Sequence, residues 1–220
     1  MTTLGFVTIG QAPRDDVTPS IVAQLPDDID VTEVGALDEF DSAAAIESTL
    51  PPRPDEPIFV TRLRDGSSVT IDRAGAIERT QARIADIEDE VEAICLLCTG
   101  YFPEFEAAVP ILEPSPLLQA WARGITPEGR IGLVIPHPEQ RQQVESKWRE
   151  FETVTAAGSP YVEEDAVTPA AEKLAGADPD LVVMDCIGYT EAMRRTVRSV
   201  TGAGTLLARS VLWKTATELR

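Results

Sequence analysis

Two of the three cysteines stand where a thiol could do chemistry. Leu96-Leu97-Cys98-Thr99-Gly100 and Val183-Met184-Asp185-Cys186-Ile187-Gly188 each carry an apolar run into a thiol and then into a glycine-containing turn. The backbone N–H groups of such a turn bind anions, and the same partial positive charge lowers a thiol's pKa. If the two thiols faced each other, a thiolate could take a proton from carbon and a thiol could return one from the other side. That is two-base stereoinversion, and it needs no metal or organic cofactor. Cysteine is also among the most buried residue types, so two strand-end core cysteines are the ordinary alternative. Spacing alone favours that alternative.

Other residues would line the same ends. Gly10 and Gln11 close the first apolar run and offer backbone and amide contacts. Arg14 suits bidentate capture of a carboxylate, or else pairs at the surface with Asp15 or Asp16. Thr99 and Gly100, with Gly188 and Thr190, supply hydroxyl and N–H donors that would also stabilise an enediolate; turn and capping duties explain them equally. Ser115 reaches the same region or caps a helix from Pro116, the latter being favoured. Asp185 would orient substrate or accept a proton, while raising the pKa of the neighbouring thiol and so opposing a resting thiolate there. His137, the single histidine, follows a strand end but reads more naturally as a surface or capping residue. Tyr101 and Tyr189 wall the site or pack the core. Cys95, three before Cys98, points to the opposite sheet face and reads as core. With one histidine and a single C-x-x-C pair, four zinc ligands are hard to assemble.

Strands and helices alternate along the chain. Strands are expected at 4–9, 30–37, 93–98, 109–112, 130–135, 151–156, 181–184 and 205–206. Ile58–Leu63 and Ser68–Ile71 flank the hairpin turn Asp65-Gly66. Helices are expected at 17–25, 41–48, 73–90, 116–123, 138–150, 191–200 and 207–219, with another opened by Thr168-Pro169. In the helix from Arg73, residues Ile77, Thr80, Ile84, Ile87 and Val91 recur at spacings of three and four, and Asp72 stands as N-cap. Such alternation implies parallel sheets covered by helices. The halves are similar: Val7-Thr8-Ile9-Gly10 corresponds to Leu133-Val134-Ile135-Pro136. The two thiol segments correspond with a one-residue shift in how far each thiol lies past its strand. Ligands of open α/β sheets bind at that end.

The 220 residues suffice for one large α/β unit or two small lobes, and 43% hydrophobic with 25% charged composition argues for a folded core. No apolar run suits a membrane helix, and the N-terminus lacks the pattern of a signal peptide. A cytoplasmic location with reduced thiols is therefore expected. The net charge of −18 disfavours nucleic acid. Only three lysines occur, Lys147, Lys173 and Lys214; this acidic, lysine-poor balance suits a halophile's cytoplasm, where salt mutes carboxylate repulsion.

Thr8-Ile9-Gly10-Gln11-Ala12-Pro13-Arg14, Leu112-Glu113-Pro114-Ser115 and Met184-Asp185-Cys186-Ile187-Gly188-Tyr189, in this order and at these distances, resemble the AroM family. That family resembles the aspartate/glutamate racemase superfamily of cofactor-independent enzymes. The resemblance implies two similar Rossmann-like or flavodoxin-like α/β lobes, pseudo-twofold related, with an active-site cleft between them. It implies lobes at 1–115 plus 207–220 and at 116–206, the last helix returning to the first lobe. It also implies one catalytic position per lobe, here Cys98 and Cys186, and turns the balance toward a functional pair. The expected activity is a cofactor-independent racemase or isomerase acting on a small carboxylate-bearing molecule. Alternatives are a thiolate-nucleophile cis-trans isomerase like maleate isomerase, and a carboxylate-binding protein without turnover. A NAD site is a poor third, since no G-x-G-x-x-G follows a strand. A homodimer is compatible with the chain.

Overall fold

The computed structural model describes residues 2–54, 56, 58–162 and 165–219. The chain divides into two units: Met1–Glu113 with Trp213–Arg220, and Pro114–Leu212.

In the first unit, β1 (Thr2–Thr8), β2 (Ile29–Gly35), β5 (Ala93–Leu96) and β6 (Ile111–Leu112) form one sheet in the order β2-β1-β5-β6. Every pairing in it is parallel. Helices α1 (Thr18–Val22), α2 (Ala43–Thr49) and α3 (Arg73–Ile87) connect its strands, with a 3₁₀ turn at Glu88–Glu90. Between α2 and α3 stands the antiparallel hairpin β3 (Ile58–Arg62) and β4 (Ser68–Asp72). Its turn carries Gly66 at φ 83, a left-handed conformation that glycine takes without strain. Asp72 caps α3, its Oδ2 accepting from Gly75 N–H at 2.8 Å. Ala76, Thr80, Ile84 and Ile87 form the buried stripe of α3, which packs on β1 and β2.

The second unit repeats this order. Strands β7 (Arg130–Ile135), β8 (Glu152–Ala157), β9 (Leu181–Met184) and β10 (Gly204–Leu207) lie as β8-β7-β9-β10, all parallel. Numbered within each unit, both sheets read 2-1-3-4. Helices α4 (Pro114–Ile125), α5 (Arg141–Lys147), α6 (Val167–Ala175) and α7 (Glu191–Thr201) belong here. Residues of α8 (Ala208–Glu218) before Trp213 group with the second unit, and those after Leu212 with the first. Each unit has its own core. One gathers Val7, Leu37, Ile71, Ile84 and Leu96, and the other Val134, Leu174, Val182, Met184 and Val197.

Several boundaries differ from expectation for physical reasons. The strand expected through Cys98 ends at Leu96, where pairing lapses: β6 ends at Leu112 opposite Cys95, and although β1 runs on to Thr8, β5 stays with it only to Leu96 opposite Val7. The helix expected over 138–150 divides into a 3₁₀ turn at Pro138–Gln140 and α5. Thr168 does not cap its helix, which starts at Val167. Asp165 serves there, its carboxylate accepting from the N–H groups of Val167 and Thr168 and from Thr168 Oγ1. Ser115 lies inside the first turn of α4, buried, since that helix opens at Pro114.

Candidate active site

In a 2-1-3-4 parallel sheet the chain turns opposite ways after the first and third strands, so a crevice opens past their carboxyl ends. In the first unit those strands are β1 and β5, and in the second β7 and β9. Cys98 lies two residues past Leu96, the last residue of β5, and Cys186 two past Met184, the last of β9. Leu96 is opposite Val7 and Met184 opposite Val134. The next amides continue the match: Leu97 N–H donates to Val7 O at 2.7 Å and Asp185 N–H to Val134 O at 2.9 Å. The thiols thus occupy the same place in the two units, and the one-residue shift expected from sequence vanishes. It arose from the expected strand limits, which ran the first strand on past Leu96 toward Cys98 and stopped the other at Met184.

The local geometry repeats as well. Gly100 N–H donates to Cys98 Sγ at 3.3 Å, and Gly188 N–H to Cys186 Sγ at 3.4 Å. Each sulfur is held by an amide two residues on, a donor that favours the charged thiolate. Both cysteines are half-buried at the margin of their unit's core. Both glycines are also required for space. A methyl group at Gly100 would lie 2.7 Å from Phe59 Cε1, and one at Gly188 would lie 2.4 Å from Tyr161 Oη. Cys95 differs in kind: it is buried within β5, and burial pushes its thiol up to about 12.

In the first unit, Gly10 follows β1 where the hairpin crosses it, and a methyl group there would lie 2.6 Å from Arg62 O. The Gln11 amide is committed to backbone. Its Nε2 donates to Phe40 O at 2.8 Å and its Oε1 accepts from Arg64 N–H at 3.1 Å. Arg64, which the sequence did not single out, also donates to Ala12 O and to Asp38 Oδ1. Arg14 is buried, not at the surface, and its Nε and Nη2 grip Asp16 at 2.8 and 2.9 Å while Nη1 donates to Thr8 Oγ1. Burial raises the Asp16 pKa, but the Arg14 fork outweighs it and holds the carboxyl below its usual range. Thr99 is half-buried beside Cys98, and Tyr101 is 64% exposed.

In the second unit, Asp185 is turned to α5: Lys147 Nζ and Trp148 Nε1 both bind its carboxylate, the latter at 2.8 Å. Lys147 and Asp185 form a buried ion pair, 2.6 Å from Nζ to Oδ2. Thr190 caps α7, its Oγ1 accepting from Met193 N–H at 3.3 Å. Tyr189 is buried with its hydroxyl on Gly158 O at 2.7 Å. His137 occupies the N-cap position of the Pro138 turn without a side-chain capping bond.

Besides Arg64, sequence reasoning missed Tyr161, Arg209 and Lys147 in the second unit. Tyr161 brings its hydroxyl to 3.5 Å from Cys186 Sγ. Arg209, buried on α8, donates to Ile187 O and Gly188 O, both at 2.9 Å from Nη2, and so anchors the loop carrying the thiol. Lys147 had one usable signal: it is among only three lysines in a chain that otherwise uses arginine. Among the described residues, no group of three or more His, Cys, Asp or Glu side chains could hold a metal ion. No described helix is long and apolar enough to cross a membrane.

Two parallel α/β units of one strand order, each ending its third strand in a thiol loop, define a two-lobed fold shared with several solved structures. Glutamate racemase from Francisella tularensis subsp. tularensis SCHU S4, in complex with D-glutamate, matches with TM-score 0.57 and 13% identity, over 99% of this chain and 80% of the racemase. A mutant of arylmalonate decarboxylase in the liganded form matches with TM-score 0.64 and 13% identity, over 100% and 92% of the two chains. The maleate isomerase Iso from Pseudomonas putida S16 matches with TM-score 0.56 and 12% identity, over 99% and 92%. At these identities the likeness is one of fold. No curated protein matches the sequence. The chain belongs to the AroM protein family, whose model matches residues 4–220.

Proposed function

We propose that this protein is a cofactor-independent racemase- or isomerase-like enzyme acting on a small carboxylate-bearing molecule, with Cys98 and Cys186 as its two acid–base groups. One observation carries the reading: both thiols lie two residues past the third strand of equivalent sheets, each accepting a hydrogen bond from a glycine amide. Core cysteines placed only by packing have no reason to repeat that detail. The fold supports the same class, because glutamate racemase, arylmalonate decarboxylase and maleate isomerase share it, and glutamate and maleate are carboxylates.

In the proposed reaction, the thiolate of one cysteine removes the α-proton. The released electron pair passes into the carboxylate as an enediolate, and the thiol of the other cysteine protonates the opposite face of the carbon. Proton and charge have then exchanged sides, and the reverse direction uses the same groups with roles reversed. Gly10, Thr99, Gly100, Ser115, Gly188 and Thr190 are the proposed substrate neighbours. Gln11, Arg14 and Asp185 spend polar atoms within their own units, so their proposed part is to hold the loops.

The test is α-hydrogen exchange in deuterated solvent, followed by NMR, with both enantiomers of glutamate and aspartate and with maleate as probes. Loss of an α-proton signal, abolished by Cys98→Ser and by Cys186→Ser separately, is the expected result. Maleate isomerisation that partly survives one substitution would replace two-base chemistry by nucleophilic addition. Iodoacetamide labelling of both thiols no faster than a free thiol, with no protection by any probe, would sink the enzymatic reading.

A further inference from the structure

The repeat between the units breaks beside Cys186. Tyr161 stands four residues past Ala157, the last residue of β8. The same count past Gly35, the last of β2, reaches Glu39, whose exposed carboxylate pairs with Arg79. Gly35 is opposite Thr8 and Ala157 opposite Ile135, so the two strand ends correspond by register and the two residues stand at the same count beyond them. One unit places a carboxylate there and the other a phenol.

The phenol is aimed at the sulfur. Its Oη lies 3.5 Å from Cys186 Sγ, and its ring edge rests on Gly188, where a methyl group would come within 2.6 Å of three ring and hydroxyl atoms. A neutral thiol can donate or accept in such a pair. A thiolate can only accept, and a phenol with its ordinary pKa of about 10 keeps its proton where a thiol of about 8.5 has lost it. The hydrogen bond is therefore stronger with the charged sulfur, and Gly188 N–H adds a second donor at 3.4 Å.

We propose that Tyr161 is a positioning residue that donates its hydroxyl hydrogen to Cys186 and makes this thiol more acidic than it would be alone. The proposal rests on the two-thiol reading above and assigns Cys186 as the sulfur built to carry charge. The other charged and titratable groups around the loop have separate duties. Lys147 of α5 is bound to Asp185, Arg209 of α8 to the carbonyls of Ile187 and Gly188, and Tyr189 to Gly158 O.

The experiment is the pH dependence of iodoacetamide labelling, read separately at Cys186 and Cys98 by peptide mass spectrometry. Tyr161→Phe keeps the ring on Gly188 and removes the hydroxyl. The labelling midpoint of Cys186 is expected to rise by about one pH unit, a roughly tenfold loss of thiolate at pH 7, with the Cys98 midpoint unmoved. An unchanged Cys186 midpoint, or an equal rise at both cysteines, would overturn the proposal. Should Tyr161→Phe fail to fold, Gly188→Ala displaces the ring and is expected to raise the same midpoint; no rise overturns it. Absence of α-hydrogen exchange with the labelling shift intact would remove the proposed reaction and leave Tyr161 in place. Exchange without the shift would do the reverse.

Discussion

Lys147 Nζ lies 2.6 Å from Asp185 Oδ2, with the lysine side chain 7% exposed and the carboxylate side chain 0%. This pair ties α5 to the loop that delivers Cys186, and Trp148 Nε1 binds the same carboxylate. Removing one partner strands a charge in the interior. Lys147→Met is expected to cost about 3–5 kcal/mol of stability, and Asp185→Leu a similar amount. The double variant is expected to lose much less than the sum, since it strands neither charge. Urea unfolding followed by tryptophan fluorescence measures all three.

Cys95 is expected to stay silent where its neighbour three residues on reacts. Its thiol, pushed up to about 12 by burial in β5, holds almost no thiolate at pH 8. Iodoacetamide at that pH is expected to label Cys98 and Cys186 in the folded protein and Cys95 only after denaturation. Labelling of Cys95 at the rate of the other two would show that β5 opens on the timescale of the reaction.

Asp16 gives the first unit an acid-sensitive joint. Its carboxyl is held below its ordinary 3.8 by the Arg14 fork, which outweighs the opposing effect of burial. A depressed folded-state value means stability that is present above the unfolded value and lost as pH falls through the folded one. Asp16→Asn is expected to lose about 1.5–3 kcal/mol at neutral pH, the range for hydrogen bonds to charged groups. The gap to the unaltered protein is expected to close below pH 3.8. A gap that persists there would mean that Asp16 acts by shape and not by charge.

The net charge of −18 is expected to make stability depend on salt. In molar salt the Debye length falls to about 3 Å, so carboxylate repulsion fades. Thermal unfolding is expected to move to higher temperature between 0.1 and 2 M KCl. A flat response would place the acidic excess outside any role in stability.

Much of the architecture was legible locally. The apolar runs at 130–135 and 181–184 are strands with those limits, and Thr80, Ile84 and Ile87 of the three-and-four spacing lie in the buried stripe of α3, where Ala76 stands instead of Ile77 and Val91 falls beyond the helix. Asp72 caps α3 as its type and place imply. These features are settled within a few residues of chain, where periodicity and capping chemistry act. The end of β5 was not legible, because Leu97 and Cys98 suit a strand as well as Leu96 does, and only the pairing with the neighbouring strands decides where the ladder stops.

The sequence alone determined that thiols follow apolar runs in both halves and that α/β alternation carries them to strand ends. Tertiary structure alone decided what each polar group near them is free to do. Arg14, Gln11 and Asp185 looked available by type and are spent on Asp16, on backbone and on Lys147. Tyr161 and Arg209 looked ordinary and reach the Cys186 loop from 25 and 22 residues away. A hydrogen bond between distant residues leaves no periodicity in the chain, since it is selected by where two elements bring their side chains and by the cost of leaving a buried polar group unpaired.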